Sequence, residues 1–415
     1  MRKAPILLAL LLATPAFAEP GLPDEAAVAA ALDAHPGVQA AAARVASAGA
    51  EARALVRGTH EFTVSGSYVR RSVDREGRFN EYDAQVTRPI RLPGKAALDR
   101  RIGEYGVDAA RNLAEDARHQ AALGLAQRWW DWLGAASEAV VDRQSVSNHE
   151  TLLAAVRSRV AQRDAAVLDA DQAEAALGAA RLAAEQSAGR ERLARARLAA
   201  QYPALPLPAQ APDVPQPALS EAELTRFHAL VTADSHEIAA AAAAARRAAV
   251  LADRARADRI ADPSIGLRAF SERGGMERGG GLLFSMPLGG GHRQALSERA
   301  EAEASAALAE ERAARFNVRE VADGDMAEAQ YRQAAWRRAR EGLDAQVAAL
   351  LKLRRGHAAG EIDFADLLYG ERQVHDAFRV EALARADAMR ALTKLRIDSH
   401  ELWLADKDSA PSPAP

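Results

Sequence analysis

Residues 95–162 contain no proline, and their apolar positions Leu125, Trp129, Leu133, Ala136 and Val140 step by three and four. That period is helical, and at about 1.5 Å per residue an unbroken helix here runs to roughly 100 Å. Residues 292–357 form a second proline-free stretch of nearly the same length. Helices of this size belong to coiled coils and bundles rather than to compact globular domains. Composition agrees: alanine is abundant and aromatic residues make up only 5% of the chain. Small side chains let long helices approach closely.

The two stretches are part of a larger repetition. Pro89 in VTRPIRLPGKAAL matches Pro287 in LFSMPLGGGHRQAL, as Lys95 matches Arg293 and Leu98 matches Leu296, all at an offset of 198. Val38 matches Ile238, Gly66 matches Gly266, and Val167-Leu168 match Leu367-Leu368, at an offset of 200. Matches in one order at near-constant spacing indicate an internal duplication. Each half then reads as one helix of about 30 residues (24–57 and 220–257), two strands, a long helix, a break and a shorter returning helix. The first repeat spans 19–200 with a β-hairpin at about 61–90, and the second spans 220–404 with a hairpin at about 263–288. Between them, the prolines of 201–219 exclude a helix and suit an extended linker. The tail 405–415, rich in Pro, Ser and charge, is expected to be disordered.

The strands alternate. Phe62, Val64, Gly66 and Tyr68 fall on one face with Thr63, Ser65 and Ser67 on the other, and Tyr82, Ala84 and Val86 oppose Asp83, Gln85 and Thr87. Ile265, Leu267 and Ala269, then Leu282, Phe284, Met286 and Leu288, repeat the pattern. A period of two with one apolar face marks a half-buried strand, and about 10 residues is the span of a membrane barrel strand. Polar loops are expected over 73–81 and 271–281.

The N-terminus carries Met1-Arg2-Lys3, an apolar core from Ile6 to Ala13, and Ala16-Phe17-Ala18. This is the pattern of a secretory signal peptide over residues 1–18, cut after Ala18. The chain has no cysteine, hence no disulfide, thiolate metal site or lipid attachment point. No later stretch approaches 18 uninterrupted apolar residues, so membrane insertion would use strands. Four strands cannot close a barrel around a channel, and an open sheet cannot sit in lipid with its edges unpaired. Either several copies share one barrel or the sheet stays out of the membrane.

Several chemistries are absent from the sequence. A net charge of −3 gives no nucleic-acid footprint. GGMERGGG lacks the Lys-Ser/Thr ending of a phosphate loop. The 10 histidines are scattered without an HxxxH pair, so no metal site, catalytic group or cofactor is assigned. Arg128-Trp129-Trp130-Asp131-Trp132 sits mid-helix, where packing between helices is the expected role.

The HPGV and SHEI helix starts, the strand-Pro-Gly-helix junctions at Pro89 and Pro287, and GEIDFADLL at 360–368 resemble the outer-membrane efflux protein family, the TolC-like exit ducts of Gram-negative bacteria. The likeness runs through the mature chain to about Leu404. The compact length and missing lipidation cysteine are most similar to the CzcC-type subgroup associated with heavy-metal efflux. The resemblance implies a mainly α fold with a small β part: a homotrimer in which each chain gives four strands to one 12-stranded outer-membrane barrel, and the long helices form a periplasmic tunnel. It implies a passive duct without enzymatic activity, set in outer-membrane lipid. Its partners would be a periplasmic adaptor protein and an inner-membrane pump, usually of the resistance-nodulation-division type. Two alternatives stay open from the residues: a periplasmic adaptor, and a structural coiled coil without transport.

In such ducts the helix turns at the periplasmic end form the entrance and dock the adaptor. The resemblance places these turns at 160–168 and 360–368. Asp366, with Asp363 and Asp169, is the candidate gate, since acidic rings select cations; helix-dipole acids are the competing role. In this alignment Ala166 and Asp169 match Asp366 and Tyr369, so the acid pattern is reversed between the halves. Arg159, Gln162, Arg355, Gly360 and Glu361 are the candidate docking residues, and the first turn lacks a glycine. Pro89, Pro93, Gly94, Pro287 and Gly289 are the candidate barrel-to-tunnel joints.

Overall fold

The computed structural model describes residues 20–404; the signal peptide and the tail read from the sequence lie outside them. Eight helices and four strands follow in the order α1 (Glu25–Asp33), α2 (Pro36–Arg57), β1 (Thr63–Val73), β2 (Gly77–Pro89), α3 (Lys95–Ala161), α4 (Val167–Gln201), α5 (Glu221–Ala233), α6 (His236–Ala257), β3 (Ser264–Glu272), β4 (Glu277–Ser285), α7 (Gly291–Ala358) and α8 (Phe364–Asp398). The two sets of six elements share one order. α3 and α7 have 67 and 68 residues, and α4 and α8 have 35 each. No described helix is long and apolar enough to cross a membrane.

Where one helix of about 30 residues was expected in each half, there are two. Pro36 occupies the first position of α2, where its missing N–H costs nothing but where it disfavours helical geometry in the residue before it. α6 begins instead on a side-chain cap: Ser235 accepts a hydrogen bond from the Ile238 N–H at 3.2 Å. Such a cap satisfies one of the orphan donors of a new helix start.

The chain folds as two compact units. Among the described residues the helical unit takes 20–35, Ala122–Phe227 and 325–404; the sheet unit takes Pro36–Ala121 and His228–Gly324. In the helical unit, Trp129, Trp130 and Trp132 are buried with Leu125 and Leu133. The Trp129 indole donates to the Gly21 carbonyl at 2.8 Å and the Trp130 indole to Thr393 Oγ1 at 2.9 Å. The tryptophan cluster is therefore a packing core, as the mid-helix position indicates. Val140, by contrast, is exposed. In the sheet unit small residues set the spacing: a Cβ on Gly103 of α3 would come within 2.8 Å of the Ala52 Cβ on α2.

The sheet is antiparallel in the order β1-β2-β3-β4. Both hairpins are tighter than the expected loops. Val73 pairs with Gly77, and Glu272 with Glu277 across one 3₁₀ turn. The polar stretches 77–81 and 277–281 belong to strands because the ladders continue through them. Gly66 lies opposite Ala84 while Gly266 lies opposite Thr87, so the two glycines face opposite sides of the sheet. The repeat match at offset 200 is therefore out of step within the strands.

Candidate functional site

Three features of the fold carry the candidate residues: the sheet face, the strand-to-helix joints and the helix turns.

Directly opposed residues share a face, and the ladders gather Val64, Val86, Leu267 and Leu282 on one side. The apolar face expected to be half-buried is bare. Val64 is 75% exposed, Leu267 63%, Leu282 87% and Phe284 71%. The opposite face carries Ser65, Gln85 and Arg268, with Arg268 ion-paired to Asp83. An uncovered apolar patch of this extent marks contact with another protein or a membrane.

At the first joint the chain leaves β2 at Pro89 and turns at Pro93 and Gly94. Gly94 sits at φ 90° with nothing near its missing Cβ. Its carbonyl accepts from Ala97 and Leu98, starting α3. Lys95 is only 2% exposed. Its ammonium donates to the Ile260 carbonyl and Asp262 Oδ1, each at 2.8 Å, and lies 2.9 Å from Asp258 Oδ1. Asp262 also accepts from the Leu92 N–H at 3.1 Å and lies 3.2 Å from His60 Nε2. Nearby, Arg254 and Arg91 both pair with Asp99. Burial alone would raise the pKa of Asp258 and Asp262, but hydrogen bonds from Arg254 and Lys95 to the first, and from Lys95, Leu92 and His60 to the second, hold both below the usual range. This network was missed from sequence. Its only trace was a lysine at the joint and RADRIADP some 160 residues later.

The second joint is bare. Pro287 and Gly289 are exposed, Gly289 at φ 110°, and Leu288 is 90% exposed. Among the described residues Arg293 and Glu61 have no ion pair.

The two helix turns of the helical unit share one hydrogen-bond pattern. The Asp164 N–H donates to the Arg159 carbonyl at 2.9 Å, and the Glu361 N–H to the Gly356 carbonyl at 2.9 Å. Between them Arg163 at φ 62° stands where Gly360 stands at φ 77°. The first turn thus makes the left-handed bend without the glycine that usually carries it. α4 starts at Val167 and α8 at Phe364, so Asp169 and Asp366 both fall on the third helical position, with Ala166 and Asp363 as caps. The acid pattern expected to be reversed is instead aligned, because the turns superpose three residues away from the offset of 200. Asp363 accepts from the Asp366 N–H at 2.8 Å, and Asp169 from the Ala166 N–H at 3.3 Å. Asp363 and Asp366 are exposed and Asp169 is half-buried.

Arg159 holds the turns to each other. It donates to Asp164 at 3.0 Å and meets His357 Nε2 at 3.1 Å. His357 Nδ1 lies 3.0 Å from the Ile362 carbonyl, which can only accept, so Nδ1 carries the proton and Nε2 accepts from Arg159. Gln162 bonds Ser158, while Arg355, Gly360 and Glu361 are exposed. Behind the turns Leu153, Val156, Leu177, Leu350, Phe364 and Leu367 pack as one core. Among the described residues no cluster of His, Asp and Glu could hold a metal ion.

The fold, with its four-stranded sheet and long helices, is that of several solved membrane proteins. The chain is similar to the outer membrane protein VceC of Vibrio cholerae, at 16% identity and a TM-score of 0.73 over 90% of this chain and 95% of that one. It is also similar to a membrane protein from Pseudomonas aeruginosa, at 19% identity and 0.72 over 90% and 89%. The open-state MtrE outer membrane channel of Neisseria gonorrhoeae matches at 17% identity and 0.71 over 92% and 89%. No protein-family profile matches the sequence, and no curated protein matches it.

Proposed function

We propose that this chain is the outer-membrane channel subunit of a tripartite efflux system. The observation that carries the reading is the apolar sheet face left bare, on a chain whose fold is that of solved outer-membrane channels. Lipid covers that face, and the two free strand edges pair with further copies. Three copies of an internally duplicated chain give a 12-stranded barrel with the helices as a periplasmic tunnel; eight strands would leave only a filled interior. An adaptor protein docks at the turns around Arg159, Gln162, Arg355, Gly360 and Glu361, and an inner-membrane pump of the resistance-nodulation-division type supplies the energy. The duct itself performs no chemistry.

Asp363, Asp366 and Asp169 gate the entrance in this reading. Their aligned positions on α4 and α8 favour it, since three copies would bring two sets of equivalent carboxylates to one end. Acidic rings suit cations, which makes heavy-metal cations the cargo class to test first. Heat-resistant trimers in outer-membrane fractions support the channel; a soluble periplasmic monomer overturns it. Asp366→Asn is expected to reduce cation block and cation selectivity in planar bilayers, and unchanged conductance removes the gate assignment. Deletion followed by zinc, cobalt, cadmium, copper and hydrophobic-drug challenge identifies the cargo.

A further inference from the structure

The geometry points to the residue-by-residue seam between β4 of one copy and β1 of the next, an inference that rests on the shared-barrel reading above. Pro287 repeats Pro89, which sets Ser285 of β4 in the place of Thr87 of β2. Their ladder partners are Ser264 and Thr63, so β3 repeats β1 with Ser264 in the place of Thr63. Each of these matched residues lies on the same face as its counterpart. The contact between β2 and β3 inside the chain is then the template for the contact between copies. Val86 opposite Leu267 becomes Phe284 opposite Gly66 of the partner subunit, and Ala84 opposite Ala269 becomes Leu282 opposite Tyr68 of the partner subunit.

Barrel geometry tests this seam independently. Going round one chain, Gly66 leads to Ala84, Ala269 and Gly280, and across the seam to Arg70 of the partner subunit. Each chain therefore climbs four residues over four strands, or 12 residues over the 12 strands of a full circuit. At about 3.3 Å per residue and about 4.8 Å between strands the tilt is about 35°, within the roughly 35–45° of membrane barrels. A slip of one residue would turn the apolar face inward. A slip of two residues one way flattens the tilt to about 19°, too shallow to close a barrel. A slip of two the other way gives about 46°, and the joints argue against it.

At the joints the same template sets Arg293 in the place of Lys95 and Glu61 in the place of Asp262. The seam thus brings the unpaired Arg293 to the unpaired Glu61 of the partner subunit, repeating between copies the pair that Lys95 and Asp262 make at 2.8 Å within one. A slip of two residues separates them. The glycines of β4 also fit. A Cβ on Gly279 would strike the Phe270 ring of β3, and on the open side the run leaves room for the long Arg70 and Arg71 side chains of the partner subunit.

The cysteine-free chain makes the test direct. Leu283→Cys with Ser67→Cys should oxidise to covalent dimers and trimers several-fold more fully than Leu283→Cys with Val69→Cys or with Ser65→Cys. Gln85→Cys with Arg268→Cys, paired within one chain, serves as the oxidation control. Strongest crosslinking at position 69 or 65 overturns the register while leaving the shared barrel standing. No intermolecular product, with the control closed, overturns both. In the same protein Arg293→Glu should lower the temperature at which the oligomer dissociates, and added Glu61→Arg should restore it; failure of that rescue removes the ion pair from the seam.

Discussion

The two strand-to-helix joints repeat one sequence plan but are held differently. The first is clamped inside its own chain, with Lys95 sealed among Asp258, Asp262 and the Ile260 carbonyl. The second, from Pro287 to Arg293, has no such partners among the described residues. It also bends earlier, with its left-handed glycine two residues after the proline instead of five and its helix starting at Gly291. The first joint is held by residues from the second half of the same chain, Asp258, Ile260 and Asp262, and no equivalent group reaches the second among the described residues. In the shared-barrel proposal the difference separates the contacts one copy completes from those a neighbour would supply.

The largest test of this contrast is Lys95→Ala against Arg293→Ala. Removing the buried ammonium leaves Asp258 with Arg254 alone and Asp262 with only the Leu92 N–H and His60. This costs about 2–3 kcal/mol, below the full loss of a wholly buried pair because Asp258 is half exposed. Removing Arg293 should cost about 1 kcal/mol or less, the range of an exposed pair. Heat or guanidinium unfolding of the detergent-dispersed monomer measures both; equal losses there would mean the second joint is clamped within its own chain too. Acid should reproduce the Lys95 effect. Asp258 and Asp262 have depressed pKa values in the fold, so their stabilisation is complete above the ordinary aspartate pKa of about 4. It is lost as the pH falls through the lower folded values. The wild-type protein should therefore lose stability below about pH 4, and the loss should shrink in Lys95→Ala.

The strand that feeds the second joint sharpens the contrast further. By exposure alone Leu282, 87% exposed, should tolerate any polar replacement. If lipid and a neighbouring copy cover that strand, Leu282→Arg costs about 2–4 kcal/mol of barrel stability. Val140→Arg, at a 57% exposed position of the helical unit, should change it little. Folding yield into lipid vesicles reads the difference. A fully tolerated Leu282→Arg would place the sheet in water.

How far the fold could be read from sequence followed the range of the forces involved. The long helices were read to within a residue or so, because helical period and proline absence are local signals, and the alternating strands emerged for the same reason. The break before Pro36 was also local, yet the apolar pattern running through it concealed the new helix start. The hairpin turns were read too long because Gly and charged residues at 77–81 and 277–281 resemble loop, whereas ladder hydrogen bonds keep them extended. Register errors had a different origin. Each turn and hairpin in a repeat can gain or lose residues, so Gly66 and Gly266 diverged by one face, and Asp169 aligned with Asp366 rather than beside it. The clamp around Lys95 joins groups far apart in sequence, and no local pattern announces such a pair. The turn residues were found through the resemblance, but Arg163 in a left-handed conformation could not be, since sequence favours glycine there.

The smallest test compares the glycines that turn each joint. Gly94 and Gly289 both have positive φ, 90° and 110°, and neither has an atom near its missing Cβ. Alanine therefore meets no clash at either site, only backbone strain of order 1–2 kcal/mol. At Gly94 the strain cannot relax, because the Leu92 N–H is tied to Asp262 and Lys95 is locked on the following residue. At Gly289 an unclamped segment can shift its dihedrals and shed part of the cost. Gly94→Ala should thus lower stability by about 1–2 kcal/mol and Gly289→Ala by under about 1 kcal/mol in the detergent-dispersed monomer. If copies share one barrel, the two values should converge in the oligomer, where a neighbour would hold the second joint as the chain's own second half holds the first; values that stay apart would leave the second joint unheld.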